Sequence, residues 1–489
     1  MVEIIGQRRL MRISRIITGF TLCCCSALAA AAPLDGLFTD PFDTQSWLTS
    51  GMGHAWQSGD LHLPKATTPG HMPFTHPMSL AQLTAFALTH NPATQVAYAN
   101  LQASAAGLGA ATSGYLPTLT LTSSANRTQQ NSTAGFAIPA LNADSTSLSL
   151  SYVLLDFGAR AAQRNAAKAQ VFISGFDNNN ALQSVALSVT QDYYQLIGEQ
   201  ALVRAYRQTV AEDAASLDMA NIQQKSGLAT ISDVLQAKAA LAQAQAELIS
   251  AQAQVRSDVG ALAQSCGLPA DNPIPLMPLN THILPPSVSP SVQTLIHYAV
   301  GHNSTISADA AQILADRANV QSDQAAGLPT LSLGVSGGKR FQNQLTPSQN
   351  WSIGVTLTVP IFTGFKNTYQ VEEARSQVSS AQATLNEVSQ TIALTVYQDY
   401  QTVLGAREAA KAADIAVTSA QASLAAIQAQ YRVGLATMVD LLTAQAALTT
   451  ARQTQIQDIT TGYIDLANLA NALGYIEIPQ GLAPAKAAS

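Results

Sequence analysis

The chain has 489 residues, with 24 Lys+Arg against 30 Asp+Glu, for a net charge of −6. That balance excludes nucleic acid as the main partner, which needs a basic surface. Only 11% of residues are charged, yet past the N-terminus no run of eighteen apolar residues occurs, so no spanning helix is expected there.

The N-terminus reads as a targeting segment. Arg8, Arg9, Arg12 and Arg15 precede an apolar stretch from Ile16 to Leu28, and Ala27-Leu28-Ala29 offers a small-x-small cleavage site. A signal peptide over residues 1–29 is expected, with Met11 as a second candidate start, and the mature chain leaves the cytoplasm of a bacterium. Cys25, with Leu22 three residues before it, is the candidate lipidation site, set against a signal that is simply removed. Cys266 then stands alone, which rules out a disulfide within one chain. It is expected as a buried or half-buried thiol near a helix end.

Residues 30–77 are rich in Pro, Gly, His, Asp and Thr without a period, and are expected as a loosely ordered N-terminal extension. From Met78 to Ser113 the pattern is helical, and Ser79 offers a cap. From Leu116 the period changes to two. Leu119 and Leu121 alternate with Thr118, Thr120 and Thr122; after a polar stretch from Ser123 to Ser145, Leu148, Leu150, Tyr152 and Leu154 alternate with Ser147, Ser149 and Ser151. This predicts a strand hairpin over about 116–155 with a long loop. Its polar face is Ser and Thr rather than charge, which suits a wet lumen, and its other face suits lipid.

A long helical segment follows to Ser226. Val189, Leu196, Val203, Val210 and Leu217 recur every seven residues, as do Val234, Leu241, Leu248, Val255 and Leu262 further on. That spacing marks coiled-coil packing, with Ala244 and Ala251 letting the helices approach closely. Between the two helices lies Gly227-Leu228-Ala229-Thr230-Ile231-Ser232-Asp233, a tip turn over 227–233. Gly227 can end one helix at positive φ, and Thr230 with Asp233 forms a capping box that starts the next. Residues 268–290 carry seven prolines and read as a linker, closing a first repeat at 78–267.

The plan then repeats over 291–474, ahead of a C-terminal tail at 475–489. His302-Asn303 echoes His90-Asn91, Leu328-Pro329 echoes Leu116-Pro117, and Gly364 echoes Gly158. A second hairpin is expected over about 328–362, where Leu331, Leu333 and Val335 and then Trp351, Ile353, Val355 and Leu357 alternate with Ser, Gly and Thr. Val396, Val403, Ala410, Val417, Leu424 and Tyr431 keep the heptad. Gly434-Leu435-Ala436-Thr437-Met438-Val439-Asp440 is the second tip turn, over 434–440, and lies 207 residues after the first.

The predicted fold is thus mixed α and β with internal duplication: four strands per chain, long helices of about 69 residues, or roughly 100 Å, and shorter ones of about 36–38 residues that match one long helix when stacked in pairs. Strands of about ten residues can cross a bilayer when tilted. Four cannot close a barrel, and an open edge is not tolerated in lipid, so closure calls for oligomers.

These residues resemble the TolC outer membrane factor family. The resemblance rests on the duplicated plan, on Tyr115-Leu116-Pro117, on Pro360-Ile361-Phe362-Thr363-Gly364, and on Tyr431-Arg432-Val433-Gly434 through Asp440-Leu441-Leu442. It covers about residues 78–475 and implies a homotrimer with a twelve-strand barrel continued by a helical coiled-coil barrel. It further implies an exit duct for tripartite efflux pumps or type I secretion in the bacterial outer membrane, with a large periplasmic portion. The implied partners are outer-membrane lipid, a periplasmic adaptor (membrane fusion) protein docked on the tips, and an inner-membrane RND or ABC transporter. The resemblance assigns Asp440 to a ring of carboxylates at the tunnel entrance, Tyr431 to a tether of the closed state, and Asp233 to the first tip as a cap or tether. It assigns adaptor docking to Gly227, Leu228, Ala229, Gly434, Leu435 and Ala436. Two positions depart from the family pattern: Thr443 stands where a second acid is usual, and Ala436 where a basic gating partner is usual. No catalytic constellation, metal spacing or phosphate loop is present, so neither an enzyme nor a cofactor is expected. A coiled-coil scaffold without a pore is the competing class, and the alternating strands argue against it.

Overall fold

The computed structural model describes residues 70–72, 74, 76–129, 140–277, 284–343 and 345–476. The expected signal segment with Cys25, residues 30–69 and most of the tail lie outside the described residues. Helices α1 (Leu80–His90) and α2 (Pro92–Thr112) lead into strands β1 (Thr118–Thr128) and β2 (Leu141–Leu155), then helices α3 (Ala159–Lys225) and α4 (Ile231–Ser265). The same six elements recur in order as α5 (Val292–His302), α6 (Ser304–Ala326), β3 (Thr330–Gln342), β4 (Leu345–Thr358), α7 (Lys366–Arg432) and α8 (Met438–Ala472). The long helices α3 and α7 are 67 residues each, and α4 and α8 are 35 each. Among the described residues no helix is long and apolar enough to cross a membrane.

The helical pattern from Met78 to Ser113 is broken into two helices, not one. The capping box at Ser79 starts α1, with Ser79 N–H donating to Gln82 Oε1 at 3.0 Å. At Asn91 the chain leaves the helix because its side chain takes over both neighbouring helix ends. Asn91 Oδ1 accepts from Ala93 N–H at 2.8 Å, and its Nδ2 donates to Ser265 O at 2.7 Å, satisfying a free carbonyl at the end of α4. Pro92 has no N–H to lose in the first turn of α2. Asn303 does the same in the second repeat, accepting from Thr305 N–H at 2.8 Å and donating to Ala472 O at 3.3 Å at the end of α8. His90 and His302 stack on Phe86 and Tyr298 at 4.0 and 4.2 Å beside these joints. The His-Asn echo is therefore a joint at which a shorter helix stacks end to end on a pair of others, and the stack runs along a long helix. Gly267 and Gly474 turn back at positive φ just beside the two joints.

The four strands form one antiparallel sheet in the order β1-β2-β3-β4. Direct partners share a face. Leu119 faces Leu150, Val335 faces both Leu150 and Ile353, and Leu333 faces Tyr152 and Val355, giving one apolar face. Thr120 faces Ser149, Ser149 faces Ser336 and Ser336 faces Ser352, giving one of Ser, Thr and Gly. The strands run 11, 15, 13 and 14 residues, longer than ten. The polar stretch taken as a loop from Ser123 is strand as far as Thr128 and again from Leu141, held partly by Ser124–Ser145 hydroxyls at 2.8 Å. Period-two reading missed this because serines fall on both faces there. Gly338 is required by the sheet: a Cβ would lie 2.8 Å from Thr146 O.

Each strand pair enters its long helix through two successive left-handed residues, Phe157-Gly158 and Gly364-Phe365. The glycine and the phenylalanine have exchanged places, so the Gly158–Gly364 echo is one residue out of the register that the helices keep.

Two kinds of seam join the helices of the two hairpins. Within a hairpin the seam is the heptad: Val189, Leu196 and Leu262, and in the second repeat Val396, Val403 and Leu424, are buried. Each such side chain contributes about 1.5–3 kcal/mol. Along α4 the tightest row is Ala237, Ala244 and Ala251, which end in a buried Asp258. Between hairpins, α3 meets α8 through polar rungs: Gln191 to Asn468 at 2.8 Å, Thr209 to Thr449 at 3.0 Å, Arg452 to Glu212 at 3.2 Å and Gln445 to Ser216 at 2.8 Å.

Parts of the extension and the linker hold each other. Met72 N–H donates to Asn272 Oδ1 at 2.8 Å, Asn272 Nδ2 donates back to Met72 O at 3.2 Å, and Met78 N–H donates to Pro275 O at 2.8 Å. Asn272 is fully buried. Phe74 and Met78 pack with Leu83 and Cys266 in the core beside the first joint. Burial pushes the Cys266 thiol up to about 12, with the Asp192 carboxylate adding to it, so it is an inert core thiol.

Candidate docking and entrance site at the hairpin tips

The two tips are built from the same local chemistry. α3 ends as Gly227 turns at φ +74°, and α7 as Gly434 turns at φ +79°. Leu228 N–H then donates to Gln223 O at 2.9 Å, and Leu435 N–H to Gln430 O at 2.9 Å, which closes each helix end. A Cβ on either glycine would meet nothing within 4 Å, so only the backbone conformation selects glycine there.

A complete capping box starts each returning helix. Thr230 N–H and Oγ1 donate to Asp233 Oδ2 at 2.7 and 2.9 Å, while Asp233 N–H donates to Thr230 Oγ1 at 3.3 Å. In the second tip, Thr437 N–H and Oγ1 donate to Asp440 Oδ2 at 2.9 and 2.7 Å, and Asp440 N–H donates to Thr437 Oγ1 at 3.2 Å. The hydroxyl and then the amide of Thr437 hold the fully exposed Asp440 carboxyl below the usual carboxylate range. One oxygen of each aspartate is thus committed to its cap; the other remains free of that duty.

Beneath the tips the hairpins share one apolar cluster, in which Ala220, Ala237, Leu424, Tyr431, Met438, Leu441 and Leu448 are buried and Val234 and Ala436 pack at the edge. Tyr431 is buried, and its phenol oxygen has no hydrogen-bond partner. Burial raises its pKa, and the Asp233 carboxylate of the other tip adds to the shift. Tyr431 thus lies inside the cluster shared by the two hairpins, whereas Asp440 is exposed to solvent.

Leu228 and Leu435 form the apolar summit of each turn, 81% and 79% exposed. Ala229 and Ala436 are only half-buried beside them. Heptad reasoning passed over Ile231, Leu235, Val433 and Val439, which are exposed around the same summits. Their signal in the sequence is an apolar residue at a helix end outside the heptad positions.

A family model described as outer membrane efflux protein matches residues 83–268 and 295–475, one match per repeat. The chain is 28% identical over 386 residues to Protein CyaE of Bordetella pertussis, covering 78% of this chain and 80% of that one. It is 27% identical over 354 residues to the outer membrane protein TolC of Escherichia coli, covering 68% and 70%. Its fold matches the outer membrane protein VceC of Vibrio cholerae with a TM-score of 0.70 at 22% identity, covering 81% of this chain and 97% of that one. It also matches the CmeC outer membrane channel of Campylobacter jejuni with a TM-score of 0.71 at 19% identity, covering 85% and 93%. The chain belongs to the outer membrane efflux protein family and is a channel protein of the bacterial outer membrane.

Proposed function

We propose that three copies of this chain close a twelve-strand barrel in the outer membrane and continue it as a helical duct into the periplasm. The duct is the exit of a tripartite efflux pump or type I secretion system. The observation that carries this reading is the pair of free sheet edges, on β1 and β4, on a sheet with one apolar face. An unpaired strand edge in hydrocarbon leaves backbone groups unsatisfied, at several kcal/mol each. Four strands are half of the smallest known barrels, about eight, so β1 of one copy must pair with β4 of the next. A pore-free scaffold offers no reason for an exposed apolar band backed by a Ser/Thr face.

In this duct the tips face the periplasm, six to a trimer. Gly227, Leu228, Ala229, Gly434, Leu435 and Ala436 present the surface for a periplasmic adaptor, which links the duct to an inner-membrane RND or ABC transporter. Asp440 contributes one carboxylate per copy to a ring at the entrance, where three charges around an axis attract cations. Tyr431, buried in the cluster that both hairpins share, tethers them in the closed state, and Asp233 caps its own tip. The test is the mass of the detergent-extracted protein by light scattering. A species of about three chains in the outer-membrane fraction is expected, and a stable monomer would refute the duct.

A further inference from the structure

We propose that Arg164 and Lys168, on the first turns of α3, bind the anionic headgroups of the inner leaflet of the outer membrane. The proposal rests on the membrane-spanning reading of the sheet given above. Arg160, Arg164, Lys168 and Phe172 recur every four residues and so form one stripe along α3. Arg160 is taken: its Nε donates to Asp156 at 2.8 Å, and its guanidinium lies 5.1 Å from the Tyr115 ring centroid. Arg164 and Lys168 are exposed, on the side of the helix away from buried Ala162 and Ala169. Lys168 Nζ lies 5.8 Å from the centroid of the exposed Phe172 ring.

Position along the axis fits the headgroup layer. At 1.5 Å per residue, Arg164 and Lys168 lie about 6 and 12 Å beyond Arg160, which itself sits at the foot of the strands. The headgroup layer is about 5–8 Å deep on each side of the hydrocarbon. Arg164 falls within it, and the long stem of Lys168 lets its ammonium reach back toward it. Tyr115, beside Arg160, is the kind of aromatic side chain that settles at this boundary.

The second repeat serves as a control within the molecule. α7 has the same length and starts 207 residues after α3. At that offset Arg160, Arg164 and Phe172 are matched by Asn367, Val371 and Ser379, and only Lys168 keeps a cation, Arg375, with Glu372 and Glu373 within a turn of it. The first eighteen residues of α3 carry three cations and no acid; those of α7 carry two of each. The helix therefore forms without the stripe, so the cations answer to something other than the fold.

The test uses the full-length protein in nanodiscs of phosphatidylethanolamine with one-fifth phosphatidylglycerol, and counts co-purifying phosphatidylglycerol by native mass spectrometry. At about fivefold per surface cation, R164Q/K168Q should weaken phosphatidylglycerol retention about 25-fold. R164K/K168R should retain it, and K225Q at the far end of α3 should leave it unchanged. If R164Q/K168Q leaves retention intact, the proposal is overturned; if it shifts ion selectivity in planar bilayers instead, the stripe lines the duct and attracts anionic cargo. Insertion into nanodiscs without any preference for phosphatidylglycerol sinks this proposal alone, whereas failure to insert at all sinks the duct as well.

Discussion

Gly267→Ala should destabilise the helical body far more than Gly474→Ala, although the two glycines occupy equivalent joints. Both have positive φ, +77° and +88°, so alanine in the left-handed region costs each about 1–2 kcal/mol. The surroundings differ. A Cβ on Gly267 would lie 2.9 Å from both Asn91 Cα and His90 O, which are backbone atoms that cannot swing aside. On Gly474 its nearest neighbour would be His302 O at 3.4 Å. Forcing the first joint apart adds an overpacking cost of about 1–3 kcal/mol. It also stretches the Asn91–Ser265 hydrogen bond, which contributes about 1 kcal/mol. The expected losses are about 3–6 kcal/mol for Gly267→Ala and about 1–2 kcal/mol for Gly474→Ala. Gly227→Ala, with open space around its Cβ, supplies the pure conformational reference. The assay is urea denaturation of the extracted protein followed by helical circular dichroism, with hydrogen exchange of residues 87–93 and 299–305 as the local readout. Equal losses for Gly267→Ala and Gly474→Ala, or a Gly267→Ala loss no larger than that of Gly227→Ala, would refute the steric argument.

Asp440→Asn should keep the hydrogen bond from Thr437 while removing the charge, and Asp440→Ala should remove both. If the carboxylates ring the entrance, both variants lose cation block and selectivity in planar bilayers; if Asp440 only caps, Asp440→Asn behaves as wild type. Because Thr437 holds this carboxyl below its usual range, selectivity should persist into mildly acid solution. Asp213 behaves oppositely. Burial, with Glu212 and then Glu247 adding to it, pushes its carboxyl up to about 6, above the unfolded value of about 3.9. Its stability contribution is complete below about pH 4 and is lost as pH rises through about 6, by roughly 3 kcal/mol at most. The urea midpoint should fall over that window, and Asp213→Asn should flatten the slope. Leu228→Asp and Ile231→Asp should lower export, read as drug sensitivity and as secreted protein, while assembly is unchanged. Leu435→Asp should have the smaller effect.

Most of the architecture was legible because it rests on two periods and a duplication. The heptads of α3, α4 and α7 and the alternation in β1 to β4 each write a buried or lipid-facing surface directly into residue spacing. What was not legible depends on atoms far apart in sequence. The break at Asn91 looked like a continuous helix because a cap at Asn-Pro has little apolar signature; the carbonyl it satisfies is 174 residues away. The clasp of Asn272 on Met72 pairs a side-chain amide with a backbone 200 residues away, and the prolines around it read as linker. At the tips, the cap chemistry of Thr230 with Asp233 and Thr437 with Asp440 was local and readable. The exposure of Ile231 and Leu235 was not, since it depends on which helix face the neighbouring hairpin covers.

The two tips share a sequence and differ in support. Ile231 and Met438 both open their helices at the position after the capping threonine. Ile231 is 62% exposed and Met438 only 1%. Three residues on, Leu441 is fully buried where Val234 is only partly so. Tyr431 descends into the shared cluster, whereas its counterpart 207 residues earlier, Gln224, is exposed. The second tip is therefore pinned through Tyr431, Met438 and Leu441 to the core that both hairpins share. A group at that tip can move only if the cluster rearranges, which suits the entrance role proposed for Asp440. The first tip meets the cluster only at its edge, through Val234, and leaves Leu228, Ile231 and Leu235 exposed. Burying them against a partner needs no rearrangement and gains about 25 cal/mol for each Å² of apolar surface covered. Under the proposed duct, this assigns docking chiefly to the first tip and gating to the second. Duplication supplied the same turn twice, and the core beneath it separated the roles.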